Sequence, residues 1–115
     1  MGSYTMRIQG ATQRHPTTSA NALAASAVVF AGPAKLYSVS GYSSALYVLL
    51  FDSTSVPADA TTALTTIPVV SGQFFYDLQD GLMMTTGICV SNSTTPVTKT
   101  IGGADTQFLV AYRPT

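Results

Sequence analysis

The side chains with which this chain could do chemistry are few. Across 115 residues there are five acids (Asp52, Asp59, Asp77, Asp80, Asp105), five bases (Arg7, Arg14, Lys35, Lys99, Arg113), one His15 and one Cys89, with no Glu and no Trp. Asp77-Leu78-Gln79-Asp80-Gly81 brings two carboxylates close together, but it lacks the alternating acids and closing Glu of a calcium loop. Asp80-Gly81 is the residue pair of a tight hairpin turn, and that reading is preferred. Asp52-Ser53-Thr54-Ser55-Val56-Pro57-Ala58-Asp59 reads as a loop capped by local side-chain to backbone bonds. His15 precedes Pro16 and has no Cys or acid beside it, so it has neither the partners of a zinc ligand nor those of a triad base. Cys89, between Ile88 and Val90, reads as a small buried hydrophobe, because a nucleophilic thiol needs an activating base. Asn92-Ser93-Thr94 matches the glycosylation acceptor pattern, a short motif that matters only in a secreted eukaryotic protein.

General acid and base chemistry needs ionisable groups that burial and neighbours can tune, and this set is too sparse to supply them. The expectation is a non-enzyme with no catalytic, cofactor-binding or metal-binding residues. Charged residues make up 9% of the chain and the formal net charge is zero, against about a quarter charged in an ordinary domain. Without a basic excess the chain cannot displace many counterions from a phosphate backbone, so no nucleic-acid partner is expected. The longest apolar run, Ala45 to Phe51, is too short for a helix to span a bilayer, so no membrane association is expected either. Ala25-Ser26-Ala27 resembles a signal-peptidase site, but the residues before it lack an apolar segment.

These side chains need a scaffold, and its pattern is strand-like. From residue 27 onward, short β-rich runs are separated by Gly, Pro, Ser, Thr, Asn and Asp. Strands are predicted near 27–31, 35–42, 45–52, 66–70, 73–79, 86–92, 97–100 and 106–113. Alternation places Val28 with Phe30, Phe74 with Tyr76 and Leu78, Ile88 with Val90, and Phe108 with Val110 and Tyr112 on common faces. No segment offers the long amphipathic helices that an α/β fold requires. The prediction is an all-β antiparallel β-sandwich, jelly-roll-like, of about eight short strands. It would span residues 27–115 behind an extended N-terminal arm of residues 1–26. Strand spacing leaves open whether its strand order is that of a jelly roll or of an immunoglobulin-like sandwich.

Residues 45–51 break the alternation. Leu46, Val48 and Leu50 fill one face while Tyr47, Leu49 and Phe51 fill the other, so the second face must be covered by the chain's own arm or loops, or by another subunit. Leu46, Tyr47, Val48, Leu49 and Phe51 are therefore candidates for a subunit interface.

The stretch from Ala34 to Tyr112 also resembles a known group of proteins. Lys35-Leu36-Tyr37-Ser38-Val39-Ser40-Gly41-Tyr42, Leu50-Phe51-Asp52, Val56-Pro57-Ala58-Asp59, Ile67-Pro68-Val69, Thr86-Gly87-Ile88, Ser93-Thr94-Thr95-Pro96 and Ala104-Asp105 with an aromatic last strand are similar to small virion proteins of tailed bacteriophages. The resemblance implies a β-sandwich that decorates or cements the capsid, made in the bacterial cytoplasm and carried on the virion's capsid surface. The expected partners are the major capsid protein and further copies of the chain, as a homotrimer. On this reading the arm, through Tyr4, Arg7, Arg14 and His15, docks on the capsid. The alternative is a tail, fibre or baseplate module that recognises host glycans by stacking them on exposed tyrosines.

Overall fold

The computed structural model describes residues 17–20 and 23–115. Those residues form an all-β protein of two antiparallel sheets, and no helix occurs among them. In chain order the strands are β1 (Thr17–Ala20), β2 (Ser26–Phe30), β3 (Ala34–Tyr42), β4 (Tyr47–Phe51), β5 (Thr65–Pro68), β6 (Gln73–Met84), β7 (Ile88–Ser93) and β8 (Gln107–Pro114). One sheet has the order β1-β8-β3-β6 and the other β2-β7-β4-β5. The pairing is nested: β4 pairs with β5, β3 with β6, β2 with β7 and β1 with β8, like one long hairpin folded over on itself. The pairs β3–β8 and β4–β7 then close each sheet.

The alternation seen in the sequence determines what the sandwich buries. Leu36, Val39, Phe74, Phe108, Val110 and Tyr112 from the first sheet meet Val48, Leu50, Ile67, Ile88 and Val90 from the second in one core. Tyr76 and Leu78 pack against its margin, partly buried.

Several boundaries differ from the expectation. Thr17–Ala20 and Ser26, expected in the arm, belong to strands β1 and β2. Val28 and Phe30 do not share a face. A register shift at Val29 sets Phe30 opposite Ile88 and Val28 opposite Cys89, so Phe30 reaches the core and Val28 points away from it. Asp80-Gly81 is no hairpin turn. Residues 78–81 of β6 lie opposite Tyr37 alone, a bulge in which Gly81 takes φ +80°. The tight turn is at Ser71-Gly72, both at positive φ, with Val70 and Gln73 exchanging backbone bonds across it. Residues 97–100 make no strand; Thr98 forms one isolated bridge with Thr62.

That bridge explains the doubly apolar strand. Val48 and Leu50 face the main core, while Leu49 and Phe51 form a second cluster with Cys89, flanked by Tyr47 and Ala63. Residues 58–63 and 97–99 tie to one another above this cluster. Ala60 N–H donates to Lys99 O at 2.7 Å, Lys99 N–H to Thr61 O at 2.9 Å and Ala63 N–H to Val97 O at 2.7 Å. The chain's own loops cover the second face.

Candidate functional site

Three of the five acidic groups, Asp52, Asp59 and Asp105, are engaged in holding loops. Asp52, just past β4, accepts at one carboxylate oxygen from Thr86 N–H (2.8 Å), Thr86 Oγ1 (2.7 Å) and Gly87 N–H (3.1 Å), and at the other from Thr85 N–H (3.0 Å) and Thr85 Oγ1 (2.8 Å). Partial burial works against its charge. The Thr86 hydroxyl, the Thr86 and Gly87 amides and the Thr85 hydroxyl outweigh that effect and hold the carboxyl far below its ordinary range. With five donors on two oxygens, Asp52 joins the β4 exit to the β6–β7 turn and has little capacity left for a ligand.

Asp105 belongs to a buried polar network at one end of the sandwich. Asn92, fully buried, donates through Nδ2 to Gly103 O (2.8 Å) and Thr106 Oγ1 (2.9 Å) and accepts from Gly102 N–H (2.9 Å). Thr106 and Ser43 share a hydroxyl bond of 2.7 Å, and Ser44 Oγ donates to Asp105. A glycan on Asn92 is therefore incompatible with this packing. Lys99 is only 4% exposed and pairs with Asp59 at 3.4 Å on the rim of the loop cover. Beneath that cover, burial pushes the Cys89 thiol up to about 11, with the Lys99 charge opposing it weakly. A thiol so placed is a packing group, as its apolar neighbours predicted. Among the described residues, no three His, Cys, Asp or Glu side chains gather as a metal site would require.

The surface with unmet contact potential is the outer face of the β1-β8-β3-β6 sheet. One row across it reads Leu109, Ser40, Phe75. Phe75 is 69% exposed, Tyr42 58% and Leu109 43%, and Val70 stands beside them at the Ser71-Gly72 turn. Ser40, Gly41, Tyr42, Gln73, Phe74, Phe75 and Leu109 line a shallow groove of about 260 Å³ there. Towards the other end, the row Arg113, Lys35, Met83 carries the charge. The Arg113 guanidinium donates to Tyr37 Oη at 2.8 Å and lies 5.6 Å from the centre of that ring.

Of the residues proposed for a subunit interface, the structure removes three. Val48 and Leu49 are fully buried and Phe51 is 3% exposed, all within the chain's own fold, so they offer no area to a second subunit. Tyr47 is half-buried and Leu46 is exposed. The proposed arm contacts Tyr4, Arg7, Arg14 and His15 lie outside the described residues. Sequence reasoning missed Phe75, Leu109 and Val70. Alternation held the signal for the first two: once Phe74 and Phe108 are assigned inward, the next residue in each strand must point outward.

Comparison with known proteins returned no matching family model, no matching curated protein and no matching solved structure.

Proposed function

We propose that this chain is a structural virion protein of a tailed bacteriophage, a capsid decoration or cement protein that binds the major capsid protein and stabilises the outer shell. The observation that carries the proposal is the exposed apolar patch of Phe75, Tyr42 and Leu109 on a protein with only 9% charged residues. An exposed apolar patch beside neutral Ser and Gln is the composition of a protein-docking surface. The resemblance of Ala34–Tyr112 to small phage virion proteins points the same way. So does the engagement of Asp52, Asp59 and Asp105 in loop bonds, which favours a structural role over catalysis. The strand orders β1-β8-β3-β6 and β2-β7-β4-β5, with every pair nested in the next, support reading the sandwich as a jelly roll rather than an immunoglobulin-like fold. The virion surface is the corresponding location, after synthesis in the host cytoplasm.

The test is binding to purified capsids. Phe75→Asp with Leu109→Asp should abolish binding while leaving the folded spectrum intact, and quantitative mass spectrometry should count hundreds of copies per particle, as repeated decoration of a shell requires. Retained binding by the double variant would remove the outer face from the proposal. A handful of copies per particle would move the protein to the tail. The tail-module reading has one specific observation in its favour: the Tyr42 and Phe75 rings flank a groove carrying Ser40 and Gln73, an arrangement on which a sugar ring can stack. Glycan-array binding lost in Tyr42→Ala would select it.

A further inference from the structure

The row Leu109, Ser40, Phe75 on the outer face of the first sheet sets a small side chain between two large ones. Neighbouring strands lie about 4.8 Å apart, so Leu109 and Phe75 form walls about 10 Å apart at their backbones. Ser40 and Gly41 make the floor between them, and Tyr42 stands at one end. The next row along β3, Ala111, Ser38, Asp77, keeps the floor small and brings an exposed carboxylate to the other end. From Tyr42 to Ser38 this trough runs about 13 Å. Asp77 forms no ion pair among the described residues, and Lys35 and Arg113 share a row three residues further along β3.

Size and bonding exclude three forms of partner. The exposed parts of Phe75, Tyr42, Leu109 and Val70 amount to a few hundred Å², against about 800 Å² per partner in a stable interface between globular proteins. A rigid globular surface, a second copy of the chain included, finds too little area here. An α-helix with its side chains is about 10–12 Å across and does not sink between these walls. A β-strand needs ladder bonds, and β3, which floors the trough, is already paired on both sides. A polyproline II segment has a backbone satisfied by water, needs no ladder, and packs its rings against aromatic walls.

Resting on the reading of this face as a protein-docking surface, we propose that its occupant is an extended, proline-rich segment of the partner in the polyproline II conformation. One turn of that helix is three residues and rises about 9 Å, so the trough holds a full turn. One apolar face of the segment lies along it, from the Tyr42 ring past the Leu109–Phe75 pair. The exposed Gln73 side chain, which also lines the trough, donates to a carbonyl of the segment. The lining is otherwise neutral, so the middle of the segment carries no charge, and a Lys or Arg at the far end meets Asp77.

The probe is a capped, fluorescein-labelled peptide of three Ala-Pro-Pro repeats with Arg at each end, and its control carries Gly in place of every Pro. Fluorescence anisotropy with the full chain should show saturable binding of the Pro peptide about tenfold tighter than that of the control, because its conformation is formed in advance. Tyr42→Ala and Ser40→Leu should each weaken it about tenfold, and Asp77→Asn a few-fold. All three side chains project from the outer face, and circular dichroism checks that the fold is kept. Ser40→Leu decides most, since it fills the floor while enlarging the apolar patch: an adhesive surface then binds more tightly, a trough less. The proposal is overturned by equal affinity for the two peptides, by undiminished binding to Ser40→Leu, or by binding of cellohexaose in place of the Pro peptide, which selects sugar stacking. Capsid binding lost in Phe75→Asp with Leu109→Asp but kept in Ser40→Leu retains the docking face and removes the proline-rich occupant.

Discussion

Asp52 and Asn92 each hold a loop whose own backbone bonds would not fix it. Replacing Asp52 with Ala should destabilise the fold by about 1–2 kcal/mol, because several donors lose a charged acceptor while solvent recovers part of the cost. Its carboxyl titrates lower in the folded than in the unfolded chain. Its contribution is therefore complete above the unfolded value near 4 and is lost as pH falls towards the folded one. Urea melts should show the gap between wild type and Asp52→Ala to be widest at neutral pH and to shrink below about pH 4. Asn92→Ala should cost more, about 2–3 kcal/mol, since it removes a fully buried amide that bonds the buried Thr106 hydroxyl as well as Gly102 N–H and Gly103 C=O; denaturant titration measures it. Little of this was legible in the sequence. A loop capped by local bonds was expected at 52–59, and Ser53 does bond Ser55 in that way. Asp52 instead reaches residues 33 to 35 positions further on, a pairing that depends on topology and leaves no local trace. The fate of Cys89 was legible, because a Cys between Ile88 and Val90 in a strand with no activating base beside it reads as a small buried hydrophobe.

Strands were readable wherever a face of two or three large apolar residues met a solvated one, as in β6 and β8. Alternation could not locate the irregularities. The extra residue at Val29 exchanges the faces of Val28 and Phe30, and the bulge at 78–81 takes the place of the hairpin expected from Asp80-Gly81. Residues 97–100 have a strand's composition but serve as cover, tied to Thr62 by one bridge. Two substitutions test these elements. A Cβ on Gly41 would sit 1.8 Å from Gln107 O, and its φ of +146° excludes most side chains. Gly41→Ala must therefore force β3 from β8 and should cost more than about 3 kcal/mol, or prevent folding. Val97, in the loop cover, holds φ +70°, a conformation a β-branched residue adopts only under constraint. Val97→Asn should relieve that strain and raise stability by about 1 kcal/mol, read as a melting temperature higher by about 4 °C.

At the scale of the whole molecule, two faces with different tasks emerge from one alternating pattern. The outer face of the second sheet is closed by the molecule's own loops over Leu49, Phe51 and Cys89, and that of the first remains open at Phe75 and Leu109. Cys89 consequently reports on the closed side. A thiol reagent should label it in the native protein only as fast as the loop cover opens, and Val97→Asn should slow the labelling if the cover opens by itself. An unchanged rate would mean that Cys89 is reached by an opening that leaves the conformation of Val97 intact. The nested pairing has a further consequence, for synthesis. The innermost pair, β4 with β5, is available early, but β3 and β1 both wait for β8, made last among the described strands. A nascent chain still lacking residues 107–114 would hold the ladder positions of β1 and half of those of β3 empty. The ribosome must therefore release β8 before the fold can close, and a chain stalled short of that point is a substrate for chaperones and proteases rather than a smaller version of the domain.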